Sequence, residues 1–172
     1  MKYYKYLDIN TKDIAQEIKN YLLENPHLIE QGQGSWRLAT DWLLENFPHI
    51  KDIFEWDIEF AGIFVSHKSE GSVHIDAVEK PVRVNFPIMN CENTETKYFE
   101  KTKIIAKGKQ TNGLSYNAVD TTNLKEVDSF VLNKPVAMRV LEPHQVHVYH
   151  NNFPRVSCTI QFKQDLEHLL EN

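Results

Sequence analysis

The spacing of apolar positions divides the chain near residue 53. Before that point the period is helical. Ile14, Ile18, Leu22 and Leu23 predict a helix over 10–25, with Asn10 or Thr11 as its cap and Pro26 as its stop. A loop at Gln31-Gly32-Gln33-Gly34 precedes a second predicted helix. Ser35 would cap it, Trp36, Leu38, Leu43, Leu44 and Phe47 are available for burial, and it ends near Pro48. Residues 1–9 alternate aromatic and polar positions and read as an edge strand.

After Ile53 the period becomes two. Strands are predicted at 54–60, at 61–66 and around His74 and Asp76, the last following a turn at Ser69-Glu70-Gly71. Over 82–88, Val84, Phe86 and Ile88 share one face and Arg83 and Asn85 the other. Further strands are expected at 96–106, 130–132, 136–141, 146–149 and 156–162, with a short terminal helix or tail at 165–170. The polar stretch 107–123, with Gly108 and Gly113, reads as a short strand plus a loop lying over a site, where specificity would reside. Helices followed by many short strands argue against a parallel sheet. They predict a mainly β sandwich or jelly roll with N-terminal helices packed outside one sheet. One domain, 1–172, is expected: a helical part at 1–52, a jelly-roll core at 53–163 and a C-terminal helix or tail at 164–172.

Composition narrows the class without choosing a chemistry. The 172 residues are 41% hydrophobic and 25% charged, ordinary for a globular chain. A formal net charge of −5 argues against a nucleic-acid partner. The start, Met1-Lys2-Tyr3-Tyr4-Lys5-Tyr6, lacks the apolar core of a signal peptide, and no apolar run is long enough for a bilayer, so no membrane association is expected. Cys91 and Cys158 make neither a disulfide framework nor a Cys-rich zinc site. They are expected as small buried hydrophobes in a reducing, cytoplasmic compartment. Tyr3, Tyr4, Tyr6, Trp36, Trp42 and Trp56 are expected to pack.

The candidate chemistry starts at His74-Ile75-Asp76. On a strand, residues i and i+2 leave the same face, so one strand can offer an imidazole and a carboxylate to one metal ion. A further His would complete a two-His, one-carboxylate face, which suits non-haem Fe(II). Three candidates lie in Glu142–His150: His144 and His150 share one strand face and His147 has the other. A polar edge strand is the plainer account of them. In the last strand Arg155, Ser157, Thr159 and Gln161 share a face, and Val156, Cys158, Ile160 and Phe162 the opposite one. The polar face either meets solvent or lines a barrel mouth, where Arg155 could grip a carboxylate with Ser157 as a further donor.

These residues in this order resemble the signature of the Fe(II)/2-oxoglutarate-dependent dioxygenase superfamily. His74-x-Asp76, a distal His144 and Arg155-x-Ser157 carry the likeness. So do Arg83-Val84-Asn85-Phe86-Pro87, Pro143-His144-Gln145-Val146 and Asn151-Asn152-Phe153-Pro154-Arg155, which resemble runs in small microbial and viral-type members. The resemblance spans about residues 54–163. It implies a double-stranded β-helix of cupin-like form, with His74, Asp76 and His144 binding Fe(II). Arg155, assisted by Ser157, would hold the distal carboxylate of 2-oxoglutarate. It further suggests Asn85 and Tyr98 as donors to the co-substrate. The implied activity is O₂-dependent hydroxylation coupled to decarboxylation of 2-oxoglutarate to succinate. The prime substrate is left open among a protein side chain, an amino acid or other small metabolite, and a nucleobase, the last disfavoured by the acidic charge. His147 is an alternative distal ligand; Pro143 before His144 and Val146 after it favour His144. Arg83 is a second candidate anion binder, with a surface salt bridge as the favoured account. Two other classes compete: a cupin-like protein that binds a sugar or metabolite without redox chemistry, or a metal-binding structural protein; and a cupin dioxygenase independent of 2-oxoglutarate.

Overall fold

The computed structural model describes residues 1–30, 36–38, 40–67, 70–109, 114–149 and 153–171, with 36–38 as backbone alone. Strand β1 (Tyr4–Tyr6) leads into helix α1 (Lys12–Glu24). Ile14, Ile18 and Leu22 are the buried residues of α1, one face at helical spacing. Asp13 complements the partial positive charge of the first turn. At the other end the Asn25 side-chain amide donates to the Tyr21 carbonyl, and Pro26 opens a 3₁₀ turn, Pro26–Leu28, in place of further helix.

The second predicted helix begins later than its pattern implied. Residues Trp36–Leu38 form strand β2; helix follows as α2 (Thr40–Asn46) and α3 (Ile50–Ile53). The reason is tertiary. Trp36, Arg37 and Leu38 pair with Val65, Phe64 and Ile63 of β3 (Ile58–Ser66), so the sheet takes the backbone hydrogen bonds a helix would have used. Thr40 marks the switch: its hydroxyl donates to the Ala61 carbonyl and accepts from the Ala61 N–H. Ser35 and the 31–34 loop lie outside the described residues.

The remaining strands are β4 (His74–Asp76), β5 (Val82–Met89), β6 (Thr94–Phe99), β7 (Ile104–Lys109), β8 (Ser115–Val119), β9 (Glu126–Phe130), β10 (Val136–Arg139), β11 (His144–Val148) and β12 (Arg155–Phe162). Among the described residues they form two six-stranded antiparallel sheets, ordered β1-β10-β5-β12-β3-β2 and β7-β8-β4-β11-β6-β9. The expected jelly roll is present, with the helices outside the first sheet. Several strand boundaries differ from expectation: the two strands expected at 54–60 and 61–66 are one, β3, and the strand expected at 130–132 is β9, ending at Phe130. Residues 54–57 are not a strand: β12 pairs with β3 only as far as Phe162 opposite Ile58, and Phe54 and Trp56 instead lay their rings near Phe162, each with centroids 5.3 Å away. The expected single strand at 96–106 is two, β6 and β7, at different places in the second sheet. The stretch expected as a covering loop carries the end of β7 and all of β8, antiparallel neighbours at the sheet edge; residues 110–113 lie outside the described ones. The terminal helix is a 3₁₀ turn, Glu167–Leu170.

The main core lies between the helices and the outer face of the first sheet. Ile14, Ile18, Leu22, Leu43 and Phe47 meet Ile63, Val65, Val84, Phe86, Val156, Cys158, Ile160 and Phe162. Trp42 joins it edge-on to Tyr21 and Phe47. A smaller core closes one end of the sandwich, built from Cys91, Tyr98, Phe130, Leu132, Val136, Met138 and Val140 with Tyr3, Tyr4 and Tyr6 against it. Both cysteines are free and buried, as expected. Ile160 is fully buried, so Ile160→Ala is expected to cost about 2–5 kcal/mol, read as a lower urea midpoint with an unchanged slope. No described helix is long and apolar enough to cross a membrane.

Candidate metal centre

The inner faces of the two sheets enclose a cavity of about 430 Å³. Strand β4 lies between β8 and β11, with His74 directly opposite His144 and Asp76 opposite Tyr116. The two-residue repeat of β4 turns His74 and Asp76 into the cavity together, and the register of β11 adds His144. The ligating atoms of His74, Asp76 and His144 all lie within 4.8 Å of one another, and the two imidazoles are 4.6 Å apart between centroids.

Backbone carbonyls orient both rings. His74 Nδ1 lies 2.8 Å from the Ser72 carbonyl and His144 Nδ1 2.9 Å from that of Glu142. In each case the carbonyl belongs to the residue two positions earlier. An Nδ1–H donated to a carbonyl leaves Nε2 as the ligating atom. The Nε2 atoms face Asp76 Oδ1, at 3.4 Å from His74 and 4.0 Å from His144. The other oxygen, Oδ2, pairs with Arg83 at 2.8 Å.

The electrostatics follow from this crowding. Burial pushes the Asp76 carboxyl up, but the His74 hydrogen bond and the neighbouring cationic groups outweigh it and bring it to about 2. Burial, then repulsion from His74, lowers His144 to about 4, so its ring is neutral at pH 7. Burial also opposes charge on His74, but Asp76 raises it by hydrogen bond and by charge. A cation at this point would replace the proton that His74 shares with Asp76. The set therefore fits a divalent ion: an ionised carboxylate, a neutral imidazole and a second imidazole whose proton is exchangeable.

The opposite wall comes from the first sheet. Arg83, Asn85, Arg155, Ser157 and Thr159 line the cavity there. Arg155 is buried, and its hydrogen bonds run to two neutral hydroxyls, Thr94 and Ser157, each at 3.3 Å. No carboxylate lies within ion-pair distance of it among the described residues. A desolvated guanidinium with neutral partners is a site prepared for an anion. Asn85 donates toward Met138 Sδ, and its Oδ1 is a buried acceptor with no partner among the described residues.

The structure thus gathers His74, Asp76, His144, Asn85, Arg155 and Ser157 around one cavity. His147 is not among them. It lies on the other face of β11, 3.6 Å from Glu70 and against the ring of Tyr149; His150 lies outside the described residues. Tyr98 is not among the cavity-lining residues either, although it pairs with His144 across β6 and β11 with ring centroids 6.2 Å apart. It is buried in the closed end of the sandwich, stacked on Tyr3, and its hydroxyl donates to the Arg139 carbonyl. Arg83 is not a surface salt bridge: it is buried and holds Asp76.

Tyr116 was not anticipated. It stands edge-on to His74 with centroids 5.9 Å apart and lines the cavity. Its ring lies across Gly108, where a Cβ would come within 2.7 Å of it. A glycine inside a strand was the available signal for such a close approach. Lys109, Leu114 and Glu70 complete the mouth.

No protein-family model matches the sequence, and no curated protein matches it. Solved structures do. One is the epimerase SnoN in complex with Fe3+, alpha ketoglutarate and nogalamycin RO, with a TM-score of 0.53 at 12% identity over 99% of this chain and 85% of that one. Another is SnoN described as a non-heme alpha ketoglutarate dependent epimerase from nogalamycin biosynthesis, with a TM-score of 0.51 at 13% identity over 92% and 77%. At this identity the likeness establishes the fold. Fold and site together define a cupin-like double-stranded β-helix with a His-Asp-His cluster able to hold a metal ion.

Proposed function

We propose that this protein is a non-haem Fe(II)/2-oxoglutarate-dependent oxygenase that hydroxylates its substrate. One observation carries the reading. A buried arginine with no counter-anion among the described residues shares a cavity with a His-Asp-His cluster. A metal-binding structural protein has no use for Arg155, and an anion-binding protein has none for the triad. The likeness of the fold to SnoN supports the same reading.

His74, Asp76 and His144 would hold the metal, with the Ser72 and Glu142 carbonyls keeping both Nε2 atoms turned inward. Fe(II) bound there supplies, with O₂, the oxidative decarboxylation of 2-oxoglutarate to succinate and CO₂ coupled to oxidation of a substrate C–H bond. Arg155 grips the distal carboxylate of the co-substrate and Ser157 adds a hydroxyl donor; in a desolvated cavity this pair is strong. The orphaned Asn85 Oδ1 offers an acceptor beside it. The substrate enters past Tyr116, Lys109 and Leu114, and is an amino acid, another metabolite or a protein side chain. Free, buried Cys91 and Cys158 suit a reducing, cytoplasmic compartment.

Anaerobic titration tests the proposal. A weak visible metal-to-ligand band should appear only when Fe(II) and 2-oxoglutarate are both present, and admission of O₂ should release succinate. A protein that binds a sugar or metabolite without redox chemistry would do neither. A second outcome at the same site, epimerisation, is favoured by the neighbour's activity. Product mass separates the two: a hydroxylated product gains one oxygen atom, and an epimer has the mass of its substrate.

A further inference from the structure

We propose that Arg83 is a positioning residue that restricts the Asp76 carboxylate to one-oxygen ligation of the metal, keeping a coordination position open for the co-substrate. The inference rests on the metal-centre reading above. The two oxygens of Asp76 have different neighbours. Oδ2 lies 2.8 Å from Arg83 Nη1, whereas Oδ1 faces the two imidazole Nε2 atoms, at 3.4 and 4.0 Å. Oδ1 is therefore the oxygen that shares a centre with both rings. An unrestrained carboxylate can also take a cation with both oxygens at once. A charge-assisted hydrogen bond from a buried guanidinium holds Oδ2 away from that geometry.

Arg83 is itself held in place. Its Nε lies 3.4 Å from Gln161 Oε1, and its guanidinium lies 5.8 Å from the centroid of the Phe60 ring. Gln161 in turn donates to Glu59, which pairs with Lys80. The ligand's orientation is thus set from the opposite sheet, by a chain of contacts reaching the surface. Simple neutralisation of a buried acid would be served by a cation at either oxygen. The observed contact takes the oxygen turned away from the imidazoles. A co-substrate that chelates, together with one further ligand, needs all the positions that a one-oxygen carboxylate leaves.

Mn(II) bound to the full-length protein, with coordinated waters counted by electron–nuclear resonance in ¹⁷O-enriched water, tests this. The wild type should hold about three waters, as an octahedral ion with three protein donors does. Arg83→Met should hold about two and bind 2-oxoglutarate about tenfold more weakly, while Arg83→Lys, which keeps one cationic donor, should return to about three. Two waters in the wild type overturns the inference, as does an unchanged count in Arg83→Met. If Arg83→Met does not fold, Arg83→Gln, which removes the positive charge beside Oδ2, is counted in its place, and three waters there overturns the inference. Failure of the wild type to take up Mn(II) in equilibrium dialysis overturns the metal-centre reading itself. A bound ion with the wrong water count overturns only the role of Arg83.

Discussion

His74→Ala and Asp76→Ala are each expected to lower Fe(II) or Mn(II) affinity by more than about 100-fold. That exceeds the 10–100-fold typical of losing a residue that merely supports a ligand. The triad has no spare donor: the described residues supply one such cluster, and each member offers it one atom. His144→Ala should behave alike. His147→Ala is the informative control, because it sits at a comparable place in the sequence but on the other face of β11, beside Glu70. Its metal affinity should equal that of the wild type within about twofold, since it lies beyond the ligands and their immediate partners. Equilibrium dialysis of all four variants checks this, with circular dichroism to show that each is folded. Equal losses at His144 and His147 would remove the geometric basis of the site.

Arg155→Ala is expected to leave metal binding in place and to weaken 2-oxoglutarate by about 2–5 kcal/mol, at least about 30-fold in Kd. Removing one partner of a buried, hydrogen-bonded charge pair strands the other, and among the described residues the other cations lining the cavity are Arg83 and, at its mouth, Lys109. Arg83 is already engaged with Asp76 and stands at the far end of the β5–β12 ladder, next to Gln161. Isothermal titration of the Mn(II)-loaded variant with 2-oxoglutarate measures the loss. Full activity in Arg155→Ala would instead favour a cupin dioxygenase that works without 2-oxoglutarate.

What could be seen in the sequence depended on the range of the interaction. The helix α1 was legible because Ile14, Ile18 and Leu22 need only their own spacing. The pair His74 and Asp76 was legible for the same reason, as neighbours on one strand face. The polar face of β12 was visible in the alternation of Arg155, Ser157 and Thr159 with Val156, Cys158 and Ile160. Features made by contact between distant segments were not visible. Trp36–Leu38 became a strand because the edge of β3 was free to pair. Arg83 looked like a surface residue because its partner sits on the facing sheet. Tyr98 looked available because nothing local announces that Tyr3 covers it and Arg139 takes its hydroxyl. The break between β6 and β7 was hidden: Ile104 and Ile105 both meet solvent, so no change in burial marks where the second strand begins.

The strands β5 and β12 spend alternate residues on separate tasks. Their outward side chains anchor the helices, and their inward ones furnish the chamber. Cohesion of the molecule therefore owes little to whatever fills that chamber. Swapping an inward residue such as Thr159 would redraw the space offered to a guest while the helical layer keeps its grip. Such an architecture tolerates drift in what it accepts, and a lineage built on it can change guests without first being rebuilt.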